Sequence, residues 1–139
     1  PLQAQSPYSA SKIGADAMAM SYFNAFDLPL TIARPFNTYG PRQDLNRFIP
    51  IVISGCIKNK KFPCSKGNQS RDFLYIDDVV DVILKSLTNK NARGQIINIG
   101  SGEPRIIKNI IEYIKKILKE VLFVPPTMPV MNLLLKMQI

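Results

Sequence analysis

This 139-residue sequence contains no histidine and no tryptophan, and it has only two cysteines. The cysteines, Cys56 and Cys64, are eight residues apart, a spacing that matches no zinc or redox motif. We therefore expect both thiols to be reduced and predict no metal site.

Long hydrophobic runs are also absent, although 46% of the residues are hydrophobic. No stretch reaches about 18 apolar residues, and three prolines interrupt the apolar segment near the end: Pro125, Pro126 and Pro129. Residues 1–7 have neither the basic nor the apolar region of a secretory signal. The expected class is a globular protein of the cytoplasm with one real core and no membrane partner.

Acidic residues are few: 10 of them stand against 18 basic residues, which gives a formal net charge of +8. Such a charge is compatible with a nucleic-acid partner. The basic residues are nevertheless scattered along the chain, and no RNA-binding or zinc-finger motif accompanies them. We therefore expect them mainly on solvated surfaces and predict no nucleic-acid partner.

The apolar pattern predicts helices that alternate with short strands. Helices are expected at 8–26, 48–58, 79–88 and 106–118, and strands at 30–33, 62–64, 72–76 and 96–99. Asp77 is expected to cap the third helix. This alternation indicates an α/β fold with a parallel sheet, but the two or three core strands are fewer than a typical sheet has. We therefore expect further strands upstream.

Tyr8 and Lys12 form a first candidate site at the start of the first predicted helix. Their i, i+4 spacing places the phenol and the ammonium on one helix face, with Cβ atoms about 5 to 6 Å apart. A neighbouring cation favours phenolate over phenol. The pair alone is weak support for function, because such pairs occur by chance on many surface helices.

Further motifs follow this pair at characteristic spacings. In order, the four motifs are Ser6-Pro7-Tyr8-Ser9-Ala10-Ser11-Lys12, Ala33-Arg34-Pro35-Phe36-Asn37-Thr38-Tyr39-Gly40-Pro41-Arg42, Arg71-Asp72-Phe73-Leu74-Tyr75-Ile76-Asp77-Asp78-Val79 and Asn98-Ile99-Gly100-Ser101-Gly102. Together they resemble the extended short-chain dehydrogenase/reductase family, which includes NAD(P)-dependent nucleotide-sugar epimerases and dehydratases. The resemblance runs from about Ser6 to Leu118.

The resemblance implies an enzyme in which the matching residues carry defined roles. Tyr8 would be the general acid/base that exchanges a proton with a sugar hydroxyl. Lys12 would hold the nicotinamide ribose of NAD or NADP, and it would help to keep Tyr8 ionisable. Pro35 and Phe36 would lie beside the nicotinamide, although loop rigidity and packing would explain them equally well.

The substrate implied by the resemblance is a nucleoside-diphosphate sugar. Asn37 would reach its diphosphate, and Arg71 would clamp it, because a planar guanidinium can bind phosphate oxygens in a bidentate manner. Arg47 and Phe62 would line the nucleotide. Three structural alternatives stay open: an exposed helix start for Arg47, core packing for Phe62 and an ion pair between Arg71 and Asp72. Asp72 is interpreted as a structural partner or cap.

The fold implied by the resemblance is the C-terminal half of a Rossmann-like, doubly wound parallel sheet with a small substrate-binding subdomain. The glycine-rich turn that binds the dinucleotide pyrophosphate in this fold is absent from the sequence. We therefore expect the N-terminal dinucleotide-binding half to be missing. Residues 1–118 are predicted to be the family part, and residues 119–139 an atypical, truncated tail.

Several functions stay open at this stage. A 4-epimerase, a 4,6-dehydratase and a 4-keto-reductase of this family are not separated, nor are NAD and NADP. A module that binds an anion without catalysis and a remnant without function are the remaining alternatives. A homodimer is one assembly to consider for the complete enzyme, and we expect the isolated chain to be inactive.

The absence of the glycine-rich turn predicts weak binding of NAD and NADP by the 139-residue chain alone. Only the nicotinamide end of the dinucleotide site is represented in it, so isothermal titration should give a Kd well above about 1 µM. A complex of micromolar affinity, which corresponds to about 8 kcal/mol, would contradict this prediction.

Overall fold

The computed structural model describes residues 3–62 and 64–122, with side chains as far as residue 119. Its elements are, in chain order, α1 (Pro7–Phe26), β1 (Ile32–Pro35), β2 (Asn37–Tyr39), α2 (Phe48–Ile57), β3 (Ser70–Arg71), β4 (Phe73–Tyr75), α3 (Ile76–Thr88), a short 3-10 helix (Lys90–Ala92), β5 (Ile96–Ile99), β6 (Arg105–Ile106) and α4 (Ile107–Leu122). The predicted α/β fold with parallel strands is confirmed. No helix in the described part is long and apolar enough to cross a membrane.

Several predicted boundaries differ from the structure. Neither Phe62 nor Cys64 belongs to a strand, and Pro63, the third residue of that prediction, lies outside the described residues. Asp77 is not the N-cap of α3, because α3 already begins at Ile76 and Asp77 lies in its first turn. Carboxylates are favourable there because the helix N-terminus carries partial positive charge.

The predicted tail also differs from the structure at its start. Helix α4 continues through the predicted boundary at residue 118 and ends at Leu122. Residues 123–139, the rest of the predicted tail, lie outside the described residues.

The chain forms two compact units. The first comprises Pro1–Pro35 and Val80–Ile99, and the second comprises Phe36–Val79 and Gly100–Ile139. In the first unit, β1 and β5 pair in parallel, with Ile32 opposite Ile96.

Helix α1 of the first unit begins at a reciprocal pair of serine caps. The Ser6 hydroxyl accepts a hydrogen bond from the Ser9 amide at 3.1 Å, and the Ser9 hydroxyl accepts one from the Ser6 amide at 2.9 Å. Pro7 suits the first turn, where its missing N–H leaves no bond unmade. The helix ends before Asp27, which has a left-handed conformation and forms an ion pair with Arg93 at 2.8 Å.

The second unit contains two short strand pairs. Strands β2 and β4 are parallel, with Asn37 opposite Phe73. Strands β3 and β6 are antiparallel, with Arg71 opposite Arg105. The sequence pattern predicted neither β2 nor β6.

The core of the second unit lies between helices α2 and α4 and includes residues of β2 and β4. Its buried members are Tyr39, Ile49, Val52, Phe73, Ile107, Ile110, Ile111, Ile114 and Leu118. Ile114 and Val52 are fully buried. The buried residues of α4 recur at helical spacing, as predicted, and burying each such side chain fully contributes about 1.5 to 3 kcal/mol.

Candidate active site

Tyr8 and Lys12 lie together in the first turns of α1, in the first unit. Tyr8 is the second residue of the helix, and its side chain is 72% exposed. The Nζ atom of Lys12 lies 5.6 Å from the centroid of the Tyr8 ring. The two side chains therefore share one helix face, as their spacing predicts, and both are accessible to a ligand.

Asp16 continues this face of α1 and forms an ion pair with Arg34 of β1. The Nε atom of Arg34 donates a hydrogen bond to Oδ2 of Asp16 at 2.7 Å, and both side chains are partly buried, at 29% and 25% exposure. Pro35, the predicted nicotinamide contact, is the next residue and the last of β1. The ion pair therefore ties α1 to the end of β1. This pair was not predicted from the sequence, although Asp16 repeats the i, i+4 spacing of Tyr8 and Lys12.

Asn37 links two strands of the second unit through the carbonyl of Asp72. Its side-chain amide donates to this oxygen at 3.0 Å, and its backbone amide donates to the same oxygen at 3.2 Å. An asparagine side chain has a second amide hydrogen and an acceptor oxygen. Asn37 is exposed, so these groups are accessible to a ligand.

The carboxylate of Asp72 holds the turn that follows β5. It accepts hydrogen bonds from the Ser101 hydroxyl at 2.7 Å, the Ser101 amide at 3.1 Å and the Gly102 amide at 3.0 Å. Burial opposes ionisation of Asp72, but these hydrogen bonds outweigh it and lower the pKa of this carboxyl below its usual value. The interpretation of Asp72 as a structural partner is confirmed.

Phe36 lies against the same turn. Its side chain is 48% exposed. A Cβ atom added to Gly100 would come within 2.9 Å of the Phe36 ring and 3.0 Å of the Asp72 carboxylate. Glycine at position 100 therefore allows the ring and the carboxylate to lie close to the backbone, while the exposed part of Phe36 is free for contact with a ligand.

Arg71 is the exposed last residue of β3. Its Nη1 atom donates a hydrogen bond to the carbonyl of Ser70 at 2.8 Å. In the described residues no ion pair joins Arg71 to Asp72, whose carboxylate is occupied by Ser101 and Gly102. The structural alternative for Arg71 is therefore not found, and its guanidinium faces solvent.

Arg47 and Phe62 lie in different local surroundings. Arg47 is the exposed N-cap residue of α2 and makes no side-chain capping bond, so the alternative of an exposed helix start describes it well. Phe62 is partly buried against Gly55 and packs on the core of the second unit.

Phe62 also borders a basic pocket of about 870 Å³. Six lysines line this pocket: Lys60, Lys61, Lys66, Lys108, Lys115 and Lys119. Asn37, Arg47 and Arg71 are not among the lining residues. Asn37 contacts Asp72 through a hydrogen bond, and Arg71 precedes Asp72 in the chain. Neither lines the pocket that Phe62 borders.

Metal-binding side chains do not cluster in the part of the chain that the structure describes. No group of three or more cysteine or acidic side chains there is arranged to hold an ion. Cys56 and Cys64 are both free thiols. Burial raises the pKa of Cys56, and the nearby Lys115 opposes this effect only in part.

The structure is thus an α/β protein with a tyrosine and a lysine, Tyr8 and Lys12, in the first turns of α1. Further along the chain, Arg71 lies shortly before the short strand β4. The sequence matches the model of the NAD dependent epimerase/dehydratase family over residues 1–100. The chain belongs to this family.

Several proteins of known identity are similar to this chain. Over 104 residues it is 41% identical to dTDP-D-glucose 4,6-dehydratase of Dictyostelium discoideum. This overlap covers 72% of this chain and 23% of that protein. A dTDP-glucose 4,6-dehydratase from Bacillus anthracis, solved in complex with NAD, is 32% identical with a TM-score of 0.79. UDP-glucuronic acid 4-epimerase from Bacillus cereus, solved with UDP-glucuronic acid and NAD, is 33% identical with a TM-score of 0.80.

The overlap with each solved structure covers 86% of this chain and 38% of the other chain. This chain thus spans less than two fifths of the length of each of these three proteins. These structural similarities support the α/β fold described above.

The lowered pKa of Asp72 predicts a loss of stability in acid. Because the folded state favours the carboxylate, its stabilisation is present above the unfolded pKa of about 3.9 and is lost as the pH falls through the lower folded pKa. Denaturant unfolding at pH 7 and pH 3 should show a smaller pH-dependent loss for Asp72→Asn than for the unchanged chain. Ser101→Ala should reduce the loss in part, and equal losses in all three proteins would contradict the prediction.

Proposed function

We propose that this chain provides the acid/base and substrate-binding residues of a nucleotide-sugar epimerase or dehydratase, which acts by transient oxidation at a sugar carbon. The observation that carries the proposal is the exposed Tyr8 beside Lys12 at the start of α1, in a chain of this family. Relatives named as 4,6-dehydratases and as a 4-epimerase support both reaction types.

Tyr8 takes up the proton of a sugar hydroxyl while the carbon that bears this hydroxyl becomes a ketone. It returns a proton when the ketone is reduced. The ammonium of Lys12 lies 5.6 Å from the centre of the Tyr8 ring, on the same face of α1.

The cofactor of the proposed reaction is NAD or NADP, and the described residues fit its nicotinamide end. The exposed hydroxyl of Tyr8 and the exposed ammonium of Lys12 can hydrogen-bond to ribose hydroxyls. Pro35 and Phe36 are proposed as contacts of the nicotinamide ring. When bound, the dinucleotide supplies the oxidising and reducing equivalents for the sugar carbon.

The substrate-binding residues are proposed to be Asn37, Arg47, Phe62 and Arg71. Arg71 has the strongest support, because its guanidinium is exposed and the described residues give it no carboxylate partner. Asn37 reaches the same part of the second unit through the Asp72 carbonyl. Arg47 and Phe62 stay as proposed nucleotide contacts of lesser support, because each is also explained by its local structure.

The other expectations follow from the same proposal. The substrate is a nucleoside-diphosphate sugar, and solved relatives with UDP-glucuronic acid support this choice. A cytoplasmic location and a homodimeric assembly complete the proposal. An assay of the full-length family enzyme that carries residues 6–118 of this chain, with UDP and dTDP sugars, decides between epimerisation and dehydration.

In such a chimeric enzyme, Tyr8→Phe should lower kcat by about 10² to 10⁴-fold, because the hydroxyl transfers a proton in the transition state. The affinity for the nucleotide sugar should stay nearly unchanged. Lys12→Ala is the matched comparison and should weaken cofactor binding as well as turnover. A kcat for Tyr8→Phe within about threefold of the parent would exclude the acid/base role.

Arg71→Ala should raise the Kd of the chimeric enzyme for UDP by about 10 to 100-fold, since hydrogen bonds between charged groups are strong. Arg71→Lys should recover only part of the affinity, because an ammonium cannot make a bidentate contact. Titration and thermal unfolding should be measured on the same variants. A lower Tm with UDP affinity within about twofold of the parent would indicate a structural role instead.

A further inference from the structure

Two arginines lie directly opposite each other on the antiparallel pair of β3 and β6. Arg71 of β3 is in register with Arg105 of β6, and both residues are exposed. Side chains of directly opposite residues project from the same face of an antiparallel pair, with Cβ atoms about 5 Å apart. Two permanently charged guanidinium groups therefore share one small surface of the second unit.

This arrangement is unfavourable unless negative charge compensates it, because like charges directly opposite each other repel. Arg105 forms an ion pair with Glu103, whose Oε2 atom lies 2.8 Å from its Nη2 atom. These two side chains are 54% and 72% exposed, and such exposed ion pairs are weak. The Arg71 guanidinium donates a hydrogen bond to the carbonyl of Ser70, which is neutral. At least one positive charge of the pair is thus uncompensated in the described residues.

The backbone around the two arginines is held in place by hydrogen bonds. Asp72, next to Arg71, binds Ser101 and Gly102 through its carboxylate. The amide of Glu103 donates to the Ser101 hydroxyl at 3.0 Å. At the other end of the strand pair, the Ile107 amide donates to the carbonyl of Gln69 at 3.1 Å. These hydrogen bonds hold β3 and β6 together although the side chains of Arg71 and Arg105 repel each other.

We propose that Arg105 joins Arg71 in one diphosphate site, in which each guanidinium binds one of the two phosphate groups. A guanidinium can bind a phosphate through two parallel hydrogen bonds, and a diphosphate supplies the negative charge that this surface lacks. The inference deepens the proposed function, because the diphosphate is then that of the nucleotide sugar. Glu103 competes with the ligand for Arg105.

Inorganic pyrophosphate and orthophosphate are suitable probes of this site in the full 139-residue chain. Titration at low ionic strength should show tighter binding of pyrophosphate than of orthophosphate. Arg105→Ala and Arg71→Ala should each raise the Kd for pyrophosphate by about 5 to 20-fold and reduce the preference for pyrophosphate over orthophosphate. The matched control is Lys116→Ala, which removes one exposed charge from α4 and should change the Kd by less than about twofold.

Glu103→Gln provides a test in the opposite direction. It releases Arg105 from its ion pair, so the Kd for pyrophosphate should fall by about two to fivefold. Loss of folding cannot produce such a gain. The inference is overturned if pyrophosphate does not bind the chain, if Arg105→Ala acts no more strongly than Lys116→Ala, or if Glu103→Gln weakens binding.

The proposed function is tested separately through turnover of nucleotide sugars by the chimeric enzyme. If pyrophosphate binding requires both arginines but no nucleotide sugar is turned over, the diphosphate site stands and the proposed function fails. If turnover and UDP affinity depend on Arg71 but not on Arg105, the proposed function stands and the role of Arg105 is overturned.

Discussion

The carboxylate of Asp72 is the interaction on which the second unit's candidate ligand-binding surface depends. It binds the turn at Ser101 and Gly102, while the carbonyl of the same residue receives two hydrogen bonds from Asn37. One residue thus connects β2, the β3–β4 segment and the turn before β6. Because three donors share the carboxylate, charged oxygen is buried here without an ion pair, at 9% exposure.

This connection also explains why Arg71 remains available for a ligand. Asp72 follows Arg71 directly in the chain, but its carboxylate does not pair with Arg71 in the described residues. It accepts hydrogen bonds from two backbone amides and a hydroxyl instead. In the first unit, by contrast, Asp16 and Arg34 form an ion pair with each other. Tyr8 and Lys12, on the same helix as Asp16, stay exposed.

Local patterns in the sequence predicted the elements whose side chains repeat at a regular spacing. The apolar spacing in α4 identified the buried face that includes Ile107, Ile110 and Ile114, because one helix face repeats every three to four residues. Strand β6 was not predicted, because its two residues are too few for a period and its pairing comes from distant residues. For the same reason the register of Arg71 with Arg105 required the structure. Asp77 was misplaced because an acidic residue is equally common as a cap and in the first turn.

The candidate site shows the same difference between contacts that are local in the sequence and contacts between distant residues. Tyr8 and Lys12 were found from spacing, because four residues along a helix bring side chains to one face. The contact between Asn37 and Asp72 spans 35 positions, and the contact between Asp72 and Ser101 spans 29, so neither leaves a local signal. The motifs already favoured a structural role for Asp72 and a ligand-binding role for Arg71. The fold adds the hydrogen bonds of Asp72 and the exposed position of Arg71.

Helix α3 carries an exposed row of Val80, Ile83, Leu84 and Leu87, with Leu87 at 77% exposure. These residues follow the i, i+3, i+4, i+7 spacing that is typical of a helix face packed against other apolar side chains. Contiguous apolar surface of this kind promotes self-association in water. Concentrated samples and high concentrations of sulfate or phosphate, which strengthen apolar association, are therefore the conditions in which this polypeptide is hardest to keep dispersed.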